Sequence, residues 1–199
     1  MSATIWKLRR PAKGAAAALA LLLVIGGCAS EVKPDGVTYS AGPAVKTPKG
    51  SAVATMKASR ELTDREKEDI NKRVKDSYPN AVRVSGPSSY FNCHSYAWYS
   101  QSTSNKYWID DPSKYWTDKS YRQVATTKVS NSIPSAAKVG HKVRYYSSQG
   151  KNTFEKNMHS AVVHSSSEVR SKWGAAGVYR HKLNETPYNP TNFYYYQKS

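Results

Sequence analysis

Short segments rich in β-forming residues occupy most of the chain after residue 121, and they constrain its fold more than any other feature. Short polar gaps separate these segments, so each is expected to pair with its chain neighbours in an antiparallel sheet. Because a helical pattern precedes them, we expect an α+β domain over residues 61–199, in which N-terminal helices pack on an antiparallel β-sheet. The predicted strands are residues 140–147, 158–164, 168–173, 178–181 and 192–197.

The first predicted helix begins at Thr63. Residues 63–66 have the sequence Thr-Asp-Arg-Glu, which fits a capping box, and acid-first charge pairs spaced four residues apart support a helix to about Ser77. Pro79 ends it. Its apolar stripe is thin, so we expect it on the outside of the domain, covering a core made by other elements.

Residues 1–27 have the pattern of a secretion signal, with basic residues first and an apolar run from Ala15 to Ile25 after them. The small residues before Cys28 resemble the lipobox of bacterial lipoproteins, in which that cysteine is lipid-modified. We therefore expect a lipid anchor on Cys28 in the cell membrane or outer membrane, with the protein facing away from the cytoplasm. An uncleaved anchor and an ordinary signal peptide are the alternatives.

Residues 28–60 contain repeated proline and glycine and show no helical or strand period, so they are predicted to form a flexible tether. The chain carries a net charge of +16 at pH 7, and it remains at +12 without the four basic residues of the signal. Such a surface attracts polyanions, which outside a bacterial cell are wall polymers and anionic lipids rather than nucleic acid. The alternative is that dispersed lysines only keep the domain soluble.

Cys93 is the candidate nucleophile. Lipidation of Cys28 would leave it without a disulfide partner, in a compartment where disulfides otherwise form. Asn92 is a good N-cap residue, so Cys93 is expected in the first turn of a helix, where the helix dipole favours a thiolate. The alternative is a small buried apolar residue.

His159 opens a predicted strand and is the candidate base. An imidazole held by a strand that packs on the cysteine helix would keep the thiolate ready and later protonate a leaving amine. The alternative is a histidine that is simply hydrogen-bonded at a strand edge. His94 is expected to point away from the thiol because adjacent helical residues diverge by about 100°.

Aromatic residues concentrate in residues 105–116, together with an Asp-Asp-Pro turn, which predicts an ordered loop over the domain. They have two possible uses: to line a substrate cleft or to close a small core. The candidates for substrate binding are Tyr107, Trp108, Trp116 and, on a later strand, Trp173. No metal site is expected, because Asp110 and Asp111 have no third acid at a suitable spacing.

Three motifs resemble the NlpC-like and CHAP-like cysteine hydrolases of bacterial cell walls. They are residues 92–97 (Asn-Cys-His-Ser-Tyr-Ala), Val139-Gly140, and residues 159–163 (His-Ser-Ala-Val-Val). The resemblance implies a papain-like fold without a cofactor, in which Cys93 and His159 are catalytic. It also implies a third polar residue on a following strand, for which Ser171 and His181 are both open. Many relatives have aspartate in place of Asn92.

Together with this resemblance, the sequence predicts a membrane-tethered cysteine hydrolase that cleaves amide bonds, with peptidoglycan peptides as the expected substrate. A non-catalytic lipoprotein that binds wall polymers through its aromatic loop and basic surface is the alternative from a different class. An acyltransferase or transglutaminase-like enzyme that uses the same two residues is a third.

Overall fold

A computed structural model describes residues 34–199, so the predicted signal and Cys28 lie outside the described residues. Its centre is a seven-stranded sheet in which every neighbouring pair is antiparallel and the strand order is β5-β10-β9-β8-β7-β11-β6. All five predicted strands are present. The strands are β5 Val82–Ser85, β6 Tyr121–Lys128, β7 Lys142–Tyr146, β8 His159–Val163, β9 Val169–Lys172, β10 Val178–His181 and β11 Asn192–Lys198.

The sheet has two buried faces because side chains alternate along each strand. On β8, Ser160 and Val162 belong to what we name the first face, and His159 and Ala161 belong to the second face. The helical segment that follows Cys93, π-helical over Ser95–Tyr99, packs on the first face against Val162. This packing fixes the cysteine helix across the centre of the sheet.

Helix α1, Asp64–Ser77, confirms the predicted capping box. The Thr63 hydroxyl accepts from the backbone of Glu66, and the Glu66 carboxylate accepts from the backbone of Thr63. The thin apolar stripe buries Ile70 and Val74 in a cluster with Trp173, on the second face of the sheet. The helix therefore covers one end of that face, as its sequence predicts.

Residues 39–58 correct the predicted tether. They form four short strands that pair as two hairpins, in which β1 pairs with β4 and β2 with β3. Val45 and Val53 are buried in the core, and Met56 exchanges two backbone hydrogen bonds with Trp108. A flexible coil is therefore the wrong description of this segment. The strands are β1 Tyr39–Ala41, β2 Val45–Lys46, β3 Ala52–Val53 and β4 Met56–Ala58.

The turn between β9 and β10 brings two backbones together. Gly174 has a φ of 52°, and a Cβ atom on Gly177 would lie 2.2 Å from the carbonyl oxygen of Ser85. Only glycine fits that approach. The turn therefore holds β10 against the end of β5, next to the segment that leads to Cys93.

The chain is a mixed helix-and-sheet domain on a large antiparallel sheet, which confirms the coarse prediction. Helices are fewer than expected: beside α1 and the π-helical segment, the described residues form only α2, Lys114–Thr117, and α3, Thr153–Lys156. Within residues 34–199, no helix is both long and apolar enough to cross a bilayer.

Candidate functional site

Cys93 lies where the sequence predicts, at the start of the helical segment. Asn92 caps this segment, since its side-chain oxygen accepts from the backbone N–H of Ser95 at 3.0 Å. Cys93 forms no disulfide within the described chain, and its side chain has no exposed area. The thiol is therefore at a helix start but sealed from solvent in this structure.

The contacts of Asn92 account for an asparagine where the hydrolases that the motifs resemble often have aspartate. Its amide nitrogen donates to the carbonyl of Ile109 at 2.7 Å, and its oxygen accepts from the N–H of Ile109 at 3.2 Å. An aspartate at this buried position could accept but not donate, and it would leave the Ile109 carbonyl without this bond. The asparagine ties the cysteine helix to the aromatic loop.

His159 is fully buried on the second face, and neither of its ring nitrogens hydrogen-bonds to any described residue. Its ring is stacked on Tyr188, with 3.8 Å between the centroids, and it meets the edge of Tyr145 at 4.9 Å. Burial lowers the pKa of His159 well below its usual value, and the neighbouring His181 and His94 lower it further. The imidazole is therefore neutral, with both nitrogens unused.

Tyr145 relates the two predicted catalytic residues. It lies directly across from His159 on the neighbouring strand, and Cys93 is near enough to influence its ionisation. Burial raises the pKa of Tyr145, and the nearby Tyr195 and Cys93 contribute to the rise. Because the His159 nitrogens are unpaired, the predicted hydrogen bond between the thiol and His159 is absent here.

Ser171 and His181, the two candidates for the third residue, are bonded to each other. The Ser171 hydroxyl donates to His181 Nε2 at 2.7 Å and accepts from Trp173 Nε1 at 2.9 Å, while His181 Nδ1 donates to the carbonyl of Lys182 at 2.7 Å. Burial lowers the pKa of His181 to about 4. This group, the Ser171 chain, makes no bond to His159, so the expected orienting contact is absent.

A second group of hydrogen-bonded side chains, on the first face, also runs from a tryptophan to a serine to a histidine. The Ser160 hydroxyl donates to His94 Nδ1 at 2.8 Å and accepts from Trp98 Nε1 at 2.8 Å, while His94 also bonds the backbone carbonyl of Asn157. Burial lowers the pKa of His94 to about 4. This group, the Ser160 chain, fixes the cysteine helix to β8 through His94.

The comparisons with known proteins find no match. No family model, no curated protein and no solved structure is similar to this chain. The chemistry of the site is therefore inferred from its own residues.

The four aromatic residues predicted to bind substrate lie in different environments. Trp108 has no exposed area and packs edge-on against Tyr39, and Trp173 is buried in the cluster under α1. Both are core residues, so neither lines an open cleft. Tyr107 is half-buried and packs on Tyr99. Trp116 is half-exposed and lines an open surface groove, which makes it the one member placed to meet a ligand.

Lys172 is a site residue that the sequence reasoning missed. Its side chain is fully buried, and Nζ donates to the carbonyls of Ser88 at 2.9 Å and Gly174 at 2.6 Å, with the Phe91 ring 4.8 Å away. These contacts hold the segment that leads into Cys93. The only available signal was strand alternation, which puts Lys172 opposite Ser171 and therefore on the first face.

A metal site is a further possibility for buried histidines and acids. Among residues 34–199, however, no three such side chains lie close enough together to hold an ion.

Proposed function

We propose that this protein is a cell-envelope cysteine hydrolase of papain-like arrangement that cleaves amide bonds in peptidoglycan peptides. Cys93 is the nucleophile and His159 the base, and this structure is the closed state of the site. The proposal keeps the chemistry that the sequence motifs imply and adds the requirement that the site opens before substrate binds.

One observation carries the proposal: His159 is a buried imidazole without a hydrogen-bond partner among the described residues, beside the ring of Tyr145, whose pKa Cys93 helps to raise. An unsatisfied buried polar group costs about 1–3 kcal/mol. Eight other described residues have one such atom each, and His159 is the one described residue with two. A base must have a free nitrogen to take a proton. His159 has that nitrogen, and the other two buried histidines do not.

The reaction begins when neutral His159 accepts the thiol proton of Cys93. The thiolate then attacks the carbonyl carbon of the amide, and the protonated His159 gives its proton to the leaving amine as the C–N bond breaks. Water, deprotonated by the same ring, hydrolyses the resulting thioester and regenerates the thiol. The backbone N–H of Cys93, together with a neighbouring donor, stabilises the oxyanion in this proposal.

Opening requires the displacement of Tyr188, whose ring covers one face of His159. Tyr188 lies between β10 and β11, in a connection that carries no helix or strand of its own. Moving this connection would expose the imidazole on the second face. The proposal further requires that Cys93, whose helical segment packs on the first face, reaches the ring around the start of β8, where His159 is the first residue.

A non-catalytic binding protein is the second candidate, and the complete burial of Cys93 together with the groove beside Trp116 favours it. Measuring the release of soluble fragments from purified cell walls by the full chain and by Cys93→Ala separates the two. A hydrolase loses fragment release in the variant, whereas a binding protein releases no fragments in either form. Unchanged release by the variant would reject the nucleophile, and the melting temperature controls for folding.

A further inference from the structure

Arg144, on the first face of β7, is surrounded by aromatic rings. Its guanidinium carbon lies 5.0 Å from the Trp116 ring centroid, 4.9 Å from that of Tyr146 and 5.0 Å from that of Tyr194. Rings at this distance attract a cation through their negative faces. They also fix the plane of the guanidinium, which prepares it to bind a ligand in one orientation.

No acid forms an ion pair with Arg144 within the described part of the chain. The ion pairs found there join Arg60 to Glu66, Lys72 to Asp76, and Arg180 to Glu168. Arg144 is half-buried, so its charge loses part of its hydration without gaining an ion pair, which is unfavourable.

The hydrogen bonds of Arg144 leave one edge of the guanidinium unused. Nε donates to the side-chain oxygen of Asn157 at 2.5 Å, and Nη1 donates to the Tyr196 hydroxyl at 3.3 Å. Nη2 bonds to no residue from 34 to 199. An oxyanion from outside the chain would supply both the missing charge and the missing acceptor.

The same aromatic residues connect Arg144 to a groove of about 540 Å³. Trp116 and Tyr196 line this groove together with three cationic residues and one more ring, from Lys49, Lys119, Arg122 and Tyr121, and with Gln123 and Ser199. Asp118 precedes the groove residue Lys119, but its carboxylate already accepts hydrogen bonds from the Thr47 hydroxyl and the Ser120 backbone N–H. The groove therefore combines positive charge with the flat apolar surfaces on which sugar rings stack.

This surface lies close to the candidate nucleophile. Asn157 accepts from Arg144 through its side chain, and its backbone carbonyl binds the ring of His94, the residue after Cys93. A polymer held at Arg144 would thus be anchored next to the cysteine helix.

We propose that Arg144 and the adjoining groove bind an anionic wall polymer, with an oxyanion on the guanidinium and a sugar unit against Trp116. The choice of a cell-wall polymer as the ligand rests on the proposed function, whereas the binding of an oxyanion rests on Arg144 and the groove alone. The oxyanion is a carboxylate if it belongs to peptidoglycan and a phosphate if it belongs to a wall-linked phosphate polymer. Either group would accept hydrogen bonds from the Arg144 guanidinium in the same way.

The test measures binding of the full chain carrying Cys93→Ala, so that hydrolysis plays no part and the outcome is independent of the enzyme proposal. The ligand is purified sacculi, used intact and after removal of phosphate polymers. Arg144→Gln is expected to weaken binding about tenfold, the loss of one charge-assisted hydrogen bond. Arg83→Gln, the same charge change on exposed β5, is the matched control and is expected to stay within about twofold.

Two results would overturn the assignment. One is equal weakening by Arg144→Gln and Arg83→Gln, which would mean unspecific attraction of a basic surface. The other is unchanged binding by Arg144→Gln. If Arg144→Gln lowers the melting temperature, Lys119→Gln in the exposed wall of the groove replaces it, and a several-fold loss is expected there. Binding that is retained after removal of the phosphate polymers identifies a carboxylate as the bound oxyanion. Binding that is lost after their removal identifies a phosphate.

Discussion

His94 and His181 lie on opposite faces of the same sheet, yet they are held in the same way. Each accepts a hydrogen bond from a serine hydroxyl that in turn accepts from a tryptophan N–H, and each donates to a backbone carbonyl. His159 lies between them, equally buried, and bonds to nothing among the described residues. Two of these three buried histidines are therefore held by hydrogen bonds, and the third has neither ring nitrogen bonded to a described residue.

This difference separates a role in stability from a role in chemistry. Each bonded histidine completes a chain in which every donor finds an acceptor, as buried polar groups require. His159 lacks such a chain although it lies in the same core, so packing alone does not explain why an imidazole stands there. An apolar ring would suit the space between Tyr145 and Tyr188 better.

The largest expected effect is on catalysis. Replacing His159 with phenylalanine removes the proposed base, and we expect the rate of wall-fragment release to fall on the order of 1,000-fold. His181→Phe, which removes an imidazole from the bonded group, is the matched comparison and should retain most of the rate. Similar losses in the two variants would remove the distinction between bonded and vacant histidines.

The pH dependence of stability is the next effect. The pKa values of His94 and His181 are lowered to about 4 in the fold, against about 6.5 in an unfolded chain. Between these values the unfolded chain binds more protons, so stability is fully present above pH 6.5 and is lost as the pH falls toward 4. Each histidine should lower the free energy of unfolding by about 2 kcal/mol at pH 5.

Urea unfolding at pH 7, 6 and 5 measures this dependence. Carboxylates contribute little to the slope between pH 5 and 7, because they titrate mainly at lower pH. The pKa of Glu66, for example, is lowered to about 2. His181→Phe should reduce the slope by about one proton. An unchanged slope would show that His181 is not buried in its neutral form.

A smaller effect concerns the bonded histidines at neutral pH. His181→Phe strands the Ser171 hydroxyl and the Lys182 carbonyl, and we expect a loss of about 2 kcal/mol in the free energy of unfolding. His94→Phe should cost a similar amount through Ser160 and Asn157. Urea unfolding at pH 7 measures both, and a neutral result in either would mean that the freed groups find other partners.

The smallest effect has the opposite sign. His159→Phe removes two unsatisfied nitrogens and keeps a ring that can stack on Tyr188, so the variant should be more stable than the parent by about 1 kcal/mol. Thermal unfolding at pH 7 detects a gain of this size. Destabilisation equal to that of His181→Phe would place His159 among the structural residues.

The strands and α1 could be predicted because their signals are local. The capping box at Thr63 and the β-rich segments after residue 121 depend on neighbours in the chain, and the structure confirms both. The strands of residues 39–58 are two or three residues long, too short for a period. Their order comes from tertiary contacts such as the pairing of Met56 with Trp108, which no local pattern encodes.

The candidate site was predictable in its parts but not in its contacts. The position of Cys93 after an N-cap and of His159 at a strand start follow from the sequence, as does the alternation that puts His159 and Ser171 on one face. The partner of each polar atom depends on which side chains meet across strands. Alternation therefore makes Ser171 a candidate partner for His159, whereas the structure pairs the Ser171 hydroxyl with His181 on β10.

The ordered N-terminal hairpins change the height at which the domain would ride above a bilayer. If Cys28 carries a lipid, only six residue spacings separate it from Pro34, where burial begins, and a fully extended chain of that length reaches only ~20 Å. The folded domain would then lie close to the lipid head groups, and only the innermost glycan strands of the wall would be within its reach.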